Sequence, residues 1–177
     1  MFDVPKVYQH QDLGFLVGID PEINDFKQAI TDNKNIVLIS DATGSGKTTI
    51  ASSLSGTHLP NYGIVPPLFI PFLRIPSPYS YDPSDKQWWS DFETKLVSSV
   101  PYRIIIDNVQ IEHGKHAVDI HQNFRYLFHM VYDYGKKYVI TTTMEESSIP
   151  VTFRPDIASR LNEAVWIHLP GKDFRGV

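Results

Sequence analysis

Asp41-Ala42-Thr43-Gly44-Ser45-Gly46-Lys47-Thr48 is the stretch whose reading decides the fold. The apolar run Ile36-Val37-Leu38-Ile39 precedes it and predicts a strand. Thr49-Ile50-Ala51-Ser52-Ser53-Leu54 follows it and predicts the first turns of a helix. Strand, glycine loop, Gly-Lys-Thr and helix, in that order, form the pattern of a phosphate-binding P-loop. Glycines let successive backbone N–H groups turn inward around a polyphosphate, and the helix N-terminus adds a positive dipole end. Thr43, Gly44, Ser45, Gly46, Lys47, Thr48 and Thr49 are therefore the candidate nucleotide-binding residues. Lys47 is expected to reach the outer phosphates and the Thr48 hydroxyl to sit on Mg²⁺. The competing explanation is a chance Gly-rich turn, which the flanking strand and helix disfavour. One position departs from G-x-x-x-x-G-K-[ST]: the first residue is Asp41, not Gly.

Downstream, Arg103-Ile104-Ile105-Ile106-Asp107-Asn108 has three β-branched apolar residues ending in an acid. That pattern predicts a buried parallel strand with a carboxylate at its carboxyl edge, where ligands bind in α/β sheets. About 60 residues after a P-loop, such an acid reads as the Walker B aspartate. Asp107 is thus expected to hold Mg²⁺ together with Thr48. His116 to Tyr134 predicts a helix burying Phe124, Leu127, Phe128 and Val131, with Gly135 closing it. Lys137 to Thr143 predicts another buried strand that ends in hydroxyls.

The rest of the chain supplies the frame. Asp20 is expected to cap a helix with Pro21 at its first position and Phe26, Ala29 and Ile30 on one face. Pro60, Pro66, Pro67, Pro71, Pro76, Pro78 and Pro83 are seven of the 13 prolines. They predict a short kinked strand near 68–74 and a long loop near 75–84, because proline lacks the ladder donor. A helix is expected from Asp85 to Ser99, with Trp88, Trp89, Phe92 and Leu96 near one face. The Trp88-Trp89 pair reads either as core or as a stacking platform for single-stranded DNA, with core favoured. Asp156 is expected to cap a short helix containing Ile157 to Leu161, and Val165-Trp166-Ile167 to form a last strand. Residues 1–14 read as an N-terminal arm, in which Gln9 to Phe15 only loosely match a clamp-docking peptide. His113, His116, His121 and Glu112 match no recognised zinc pattern, and a solvated helix start explains them better.

Bulk properties narrow the field. The 177 residues suit one domain with a real core. The absence of cysteine excludes disulfides, thiolate metal sites and cysteine nucleophiles. With 16 Lys and Arg against 20 Asp and Glu, the formal charge is −4. A broadly basic nucleic-acid face is not indicated, which leaves room only for a local patch. No apolar run reaches the ~18–20 residues of a membrane span, and Met1 to Pro5 lack signal-peptide character. A cytoplasmic protein with no membrane partner is the expectation.

Taken together, these runs resemble the ATPase domain of bacterial replication initiators of the DnaA family, within the AAA+ class. Hda-type regulators and DnaC/IstB-type helicase loaders are its relatives. Phe15-Leu16-Val17-Gly18 with Asn24 resembles the family's opening segment, and Asp41 to Thr48 its P-loop. Ile104 to Gln110 resembles its Walker B strand, and Asn123 to Lys137 the helix and turn before sensor 1. Thr141-Thr142-Thr143 falls on the sensor 1 strand end, which gives Thr142 a catalytic role by resemblance. Ala158-Ser159-Arg160-Leu161 falls on the motif carrying the arginine finger; a surface arginine at a helix end is the alternative. The resemblance runs from about residue 15 to 177. It implies a three-layer α/β/α P-loop NTPase fold of AAA+ type with a parallel sheet; as departures from the family, this sequence is expected to lack the helical lid and the DNA-binding domain. It also implies ATP and Mg²⁺ at a junction between protomers, with Arg160 acting in trans on a neighbour's γ-phosphate. The implied partners are a replication initiator, a helicase or another AAA+ protein, with self-assembly and single-stranded DNA further options.

Asn108 stands where the family has an acid that polarises the attacking water. An amide cannot take a proton, so Asn108 is the candidate catalytic position that puts hydrolysis in doubt. A DnaA-like ATP-binding protein that acts in DNA replication initiation or its regulation, through nucleotide-dependent assembly with an initiator or helicase, is the leading reading, with weak ATPase activity left open. A non-hydrolysing AAA+-like module docking on a replication protein is the second. A small P-loop NTPase of another class is the third, disfavoured because no acceptor-binding motif follows the Walker B strand.

Overall fold

The computed structural model describes residues 1–8, 19–40, 46–61, 63–148 and 153–170. Its helices are α1 (Asp20–Thr31), α2 (Lys47–Leu54), α3 (Pro83–Val97), α4 (Ala117–Asp133) and α5 (Pro155–Asn162). Its strands are β1 (Ile36–Ile39), β2 (Thr57–Leu59), β3 (Gly63–Val65), β4 (Leu68–Pro71), β5 (Arg103–Val109), β6 (Lys137–Thr142) and β7 (Val165–His168). Five strands form one sheet in the order β4-β5-β6-β1-β7. Every pairing in it is parallel.

Parallel strands are buried on both faces, and the two faces here carry different helices. Leu38, Ile105 and Val139 meet Phe26 of α1 and Ile50 of α2. Ile104, Ile106 and Ile140 meet Phe92 of α3, Phe124 and Phe128 of α4, and Ile157 of α5. The result is three layers, as the family resemblance implied. Helix α4 packs because Phe124, Leu127, Phe128 and Val131 recur at helical spacing, and all four are fully buried. Burying one such side chain contributes about 1.5–3 kcal/mol. Gly135, at φ 70, takes the left-handed turn that ends the helix.

Several boundaries differ from the sequence expectation. Pro83 opens α3 instead of closing the loop before it, because a first-turn proline has no N–H to leave unpaired. Asp82 caps that helix, its carboxylate accepting from the Ser84 N–H at 2.8 Å. Asp20 and Asp156 lie inside the first turns of α1 and α5, not at their caps. A β2–β3 hairpin occupies 57–65, which the sequence reading left without structure. At the other end of the chain, Phe2 is buried with its ring 5.1 Å from Trp88 and 5.7 Å from Phe92. The Phe69 N–H donates to the Phe2 carbonyl at 2.7 Å, so the first residues cover the outer edge of β4. No described helix is long and apolar enough to cross a membrane.

Candidate nucleotide site

Chain order creates a crevice at the carboxyl edge of the sheet. From β1 the chain crosses the α1–α2 face to reach β4, then returns strand by strand through α3, α4 and α5 on the opposite face. The carboxyl ends of β1 and β6 therefore send their connections to opposite sides. Ligands bind at such a switch point in open α/β sheets. The Ser40 N–H donates to the Thr142 carbonyl at 3.2 Å and closes the base of the crevice.

Of the P-loop residues, Thr43, Gly44 and Ser45 lie outside the described residues, as does Asp41. Gly46, at φ 92, makes the left-handed step into α2. The N–H groups of Lys47, Thr48 and Thr49 precede the first intrahelical bond, from the Ile50 N–H to the Gly46 carbonyl at 2.9 Å. Such leading amides carry the helix's positive dipole end. Lys47 and Thr49 are both buried at this start.

Across the crevice, β5 departs from regular pairing. Ile106 pairs with Ile140 and Val109 with Thr142, so Asp107 and Asn108 together oppose Thr141 alone. This is a bulge, a device that re-aims side chains beside functional sites. Asn108 takes the extra residue's turn at φ 62, a left-handed conformation that Asn tolerates better than most residues. Thr141 ties the bulge together. Its hydroxyl donates to Asp107 Oδ1 at 2.7 Å and accepts from the Asn108 N–H at 2.8 Å. The Thr48 hydroxyl donates to the same Asp107 oxygen at 2.9 Å. The fold thus brings Thr48 and Asp107, 59 positions apart, into direct contact. Both are hard oxygen donors that fit Mg²⁺, the hydroxyl directly and the carboxylate through water.

Thr142 lies on the other face of the sheet. Strand side chains alternate, so one step along β6 exchanges the α2 face for the α4 face. The Thr142 hydroxyl donates to the Val109 carbonyl and accepts from the Met144 N–H at 2.9 Å. The sequence reading did not single out Thr141. The parity it shares with Val139, and hence with Ile105 and Asp107, would have identified it had the β5–β6 register been known.

Arg160 sits in the last turn of α5, remote from its own chain's crevice. Its carbonyl accepts from the Tyr138 hydroxyl at 3.2 Å, near the amino end of β6. Tyr138 and Thr142 are separated by roughly 13 Å of strand at ~3.3 Å per residue. The guanidinium carbon lies 3.8 Å from the Tyr132 ring centre, and Nη1 lies 2.7 Å from His129 Nδ1. Burial pushes the Tyr138 phenol well above its usual range.

Two other candidate groups have local roles. Trp88 and Trp89 are half-buried, and the Trp89 indole N–H donates to the Pro76 carbonyl at 3.0 Å. Trp89 also meets Tyr126 edge-on at 5.1 Å. His121 Nε2 accepts from the Glu112 N–H at 3.2 Å, and burial lowers its pKa. No cluster of three or more His, Cys, Asp or Glu suited to a metal ion occurs among the described residues.

No protein-family model and no curated protein matches the sequence. Solved structures do match the fold. AMPPCP-bound DnaA from Aquifex aeolicus superposes with a TM-score of 0.62 at 15% identity, covering 94% of this chain and 51% of that one. A replication initiator DnaA bound to AMPPCP and single-stranded DNA gives 0.59 at 16%, covering 94% and 50%. DnaI gives 0.57 at 13%, covering 91% of this chain and 96% of its own. The chain spans about half the length of the DnaA structures it matches. Over its described residues, the chain has a three-layer α/β/α fold with a parallel five-stranded sheet, like that of the DnaA structures it superposes on.

Proposed function

We propose that this chain binds ATP with Mg²⁺ and uses the bound state to assemble with a replication initiator, a helicase or another AAA+ protein during replication initiation or its regulation. The observation that carries the reading is the contact of Thr48 with Asp107 at the switch point, beside the start of α2. Lys47 and the leading amides of α2 would hold the phosphates. Thr48 and Asp107 would hold the metal, which supplies charge neutralisation between the phosphates. Thr141 would orient Asp107. Arg160 would act on a neighbour's nucleotide, since its place at the amino end of the sheet removes it from its own. DNA binding of the kind named for one DnaA structure, and helicase loading, belong to this proposal as its finer alternatives.

Asn108 favours a second reading, a module that binds nucleotide without turning it over. At the bulge it offers an amide where a water-polarising carboxylate would be needed. Titration calorimetry with ATP and Mg²⁺, with Lys47→Ala as control, tests both readings. Binding that Lys47→Ala abolishes is the expected result, and no heat at about 1 mM ATP, which means a binding free energy weaker than ~−4 kcal/mol, overturns both. Phosphate release then separates them. Turnover supports the ATPase, and tight binding without turnover supports the module.

A further inference from the structure

The surroundings of Arg160 form a second polar cluster, which the nucleotide site does not explain. Arginine can only donate, so His129 Nδ1, 2.7 Å from Arg160 Nη1, must present its lone pair. The proton of a neutral ring is then on Nε2, which faces Asp156 Oδ2 at 3.0 Å. The two contacts together select one tautomer. The guanidinium carbon lies over the Tyr132 ring, 3.8 Å from its centre. The Arg160 carbonyl is held by the Tyr138 hydroxyl at 3.2 Å, and the next carbonyl, of Leu161, by the Trp166 indole N–H at 3.0 Å. Backbone and side chain are both fixed, yet only one of five N–H donors is used in this contact. The residue is half-buried, not enclosed.

We propose that His129, Tyr132 and Asp156 are positioning residues that hold the Arg160 guanidinium ready for an anionic oxygen of a second molecule, and that protonation of His129 dismantles the arrangement. The proposal rests on the trans role given to Arg160 above. Holding the side chain in advance removes rotamer entropy that binding would otherwise cost. With Nη1 on His129 and the guanidinium carbon over Tyr132, the other guanidinium nitrogens have N–H groups that could meet a planar pair of oxygens. Protonation of His129 converts the acceptor Nδ1 into a donor and sets a second cation against the first. The groups facing His129 are Arg160 and Asp156 on α5 and Tyr132 on its own helix, with Tyr138 of β6 acting through the Arg160 carbonyl. Burial alone would raise the Asp156 carboxyl, but the Ile157 N–H, His129 and Arg154 outweigh it and keep the group ionised.

The test uses the full chain, free of nucleotide, labelled with ¹⁵N. Long-range ¹⁵N spectra should find His129 as the Nε2–H tautomer at about pH 7.5, and Arg160 Nε–H order parameters near the rigid value of ~0.85. Acidification from about pH 7.5 until the His129 ring nitrogens themselves report a second proton should release Arg160 to values below ~0.6. His129→Gln keeps an acceptor and a donor but does not titrate, so it should hold Arg160 rigid at both ends of that range. His129→Leu and Tyr132→Leu should free it at every pH. An Nδ1–H tautomer, or an Arg160 as mobile as exposed arginines at about pH 7.5, overturns the proposal.

A second arm measures self-association driven by AMPPCP and Mg²⁺ in sedimentation velocity. His129→Gln should match wild type, while His129→Leu and Tyr132→Leu should weaken association about tenfold. Equal association in all three variants overturns the positioning role. A wild type that does not associate overturns the trans role of Arg160 itself. The spectra, measured on the free chain, keep those two failures apart.

Discussion

Thr48 Oγ1 lies 2.9 Å from Asp107 Oδ1, joining the start of the P-loop helix to the bulge at the end of β5. Thr141 donates to the same carboxylate oxygen at 2.7 Å. One oxygen thus takes two hydroxyl donors, and any change at Asp107 is felt on both sides of the crevice.

Asp107→Asn keeps an oxygen able to accept both bonds but removes the charge. Stability should change by less than about 1 kcal/mol, because the hydrogen bonds persist. Mg²⁺-dependent ATP affinity should fall at least about tenfold, because a hard dication prefers a carboxylate. Calorimetry with and without Mg²⁺, set beside urea denaturation, checks the two halves.

Thr141→Val and Thr142→Val should separate the two faces of β6. Each removes a buried hydroxyl that serves two partners, so each should cost about 1–3 kcal/mol in urea denaturation. Only Thr141→Val should weaken nucleotide binding, since Thr142 spends its hydroxyl on Val109 and Met144. Equal loss of affinity in both variants would contradict this assignment of faces.

Phe2→Ala should behave as a core mutation although it lies next to the chain start. The ring is buried against Trp88 and Phe92, and its loss should cost about 3–5 kcal/mol. Denaturant midpoints will decide; a loose arm would leave them unmoved.

His121 should make the fold sensitive to mild acid. Burial, the first cause, depresses its pKa below 6.5. Below that value the unfolded chain binds more protons than the folded one. Stability is therefore full above about pH 6.5 and falls as the pH drops toward the depressed folded value. His121→Gln keeps an acceptor for the Glu112 N–H but cannot titrate. The difference in denaturant stability between wild type and variant should be flat above about pH 6.5 and close or reverse below it. A pH-independent difference would show that His121 is already exposed to protons in the folded state.

Much of the fold was legible because it is written in local periodicity. The runs at Ile36, Ile104 and Tyr138 declare buried strands, and the spacing of Phe124, Leu127, Phe128 and Val131 declares the α4 face. The P-loop pattern is local too, and so is the acid that ends β5. The hairpin at 57–65 escaped notice because its short strands, with His58 and Ile64 exposed, carry no buried alternation. The docking of Phe2 escaped because nothing near it in sequence shows that the edge of β4 lacks a partner.

By itself the sequence determined that a Gly-rich stretch of P-loop pattern lies between a buried strand and a helix, and that an acid and Asn108 follow on another strand. These features depend on neighbours a few residues away, where backbone preference and side-chain period act. Tertiary structure decided which hydroxyl meets Asp107 and where Arg160 rests. A one-residue bulge sets the β5–β6 register, and a strand's alternation then turns Thr141 toward Thr48 and Thr142 away from it. Arg160 is held by His129 and Tyr132, about 30 positions distant, because α4 and α5 pack side by side on the same face of the sheet.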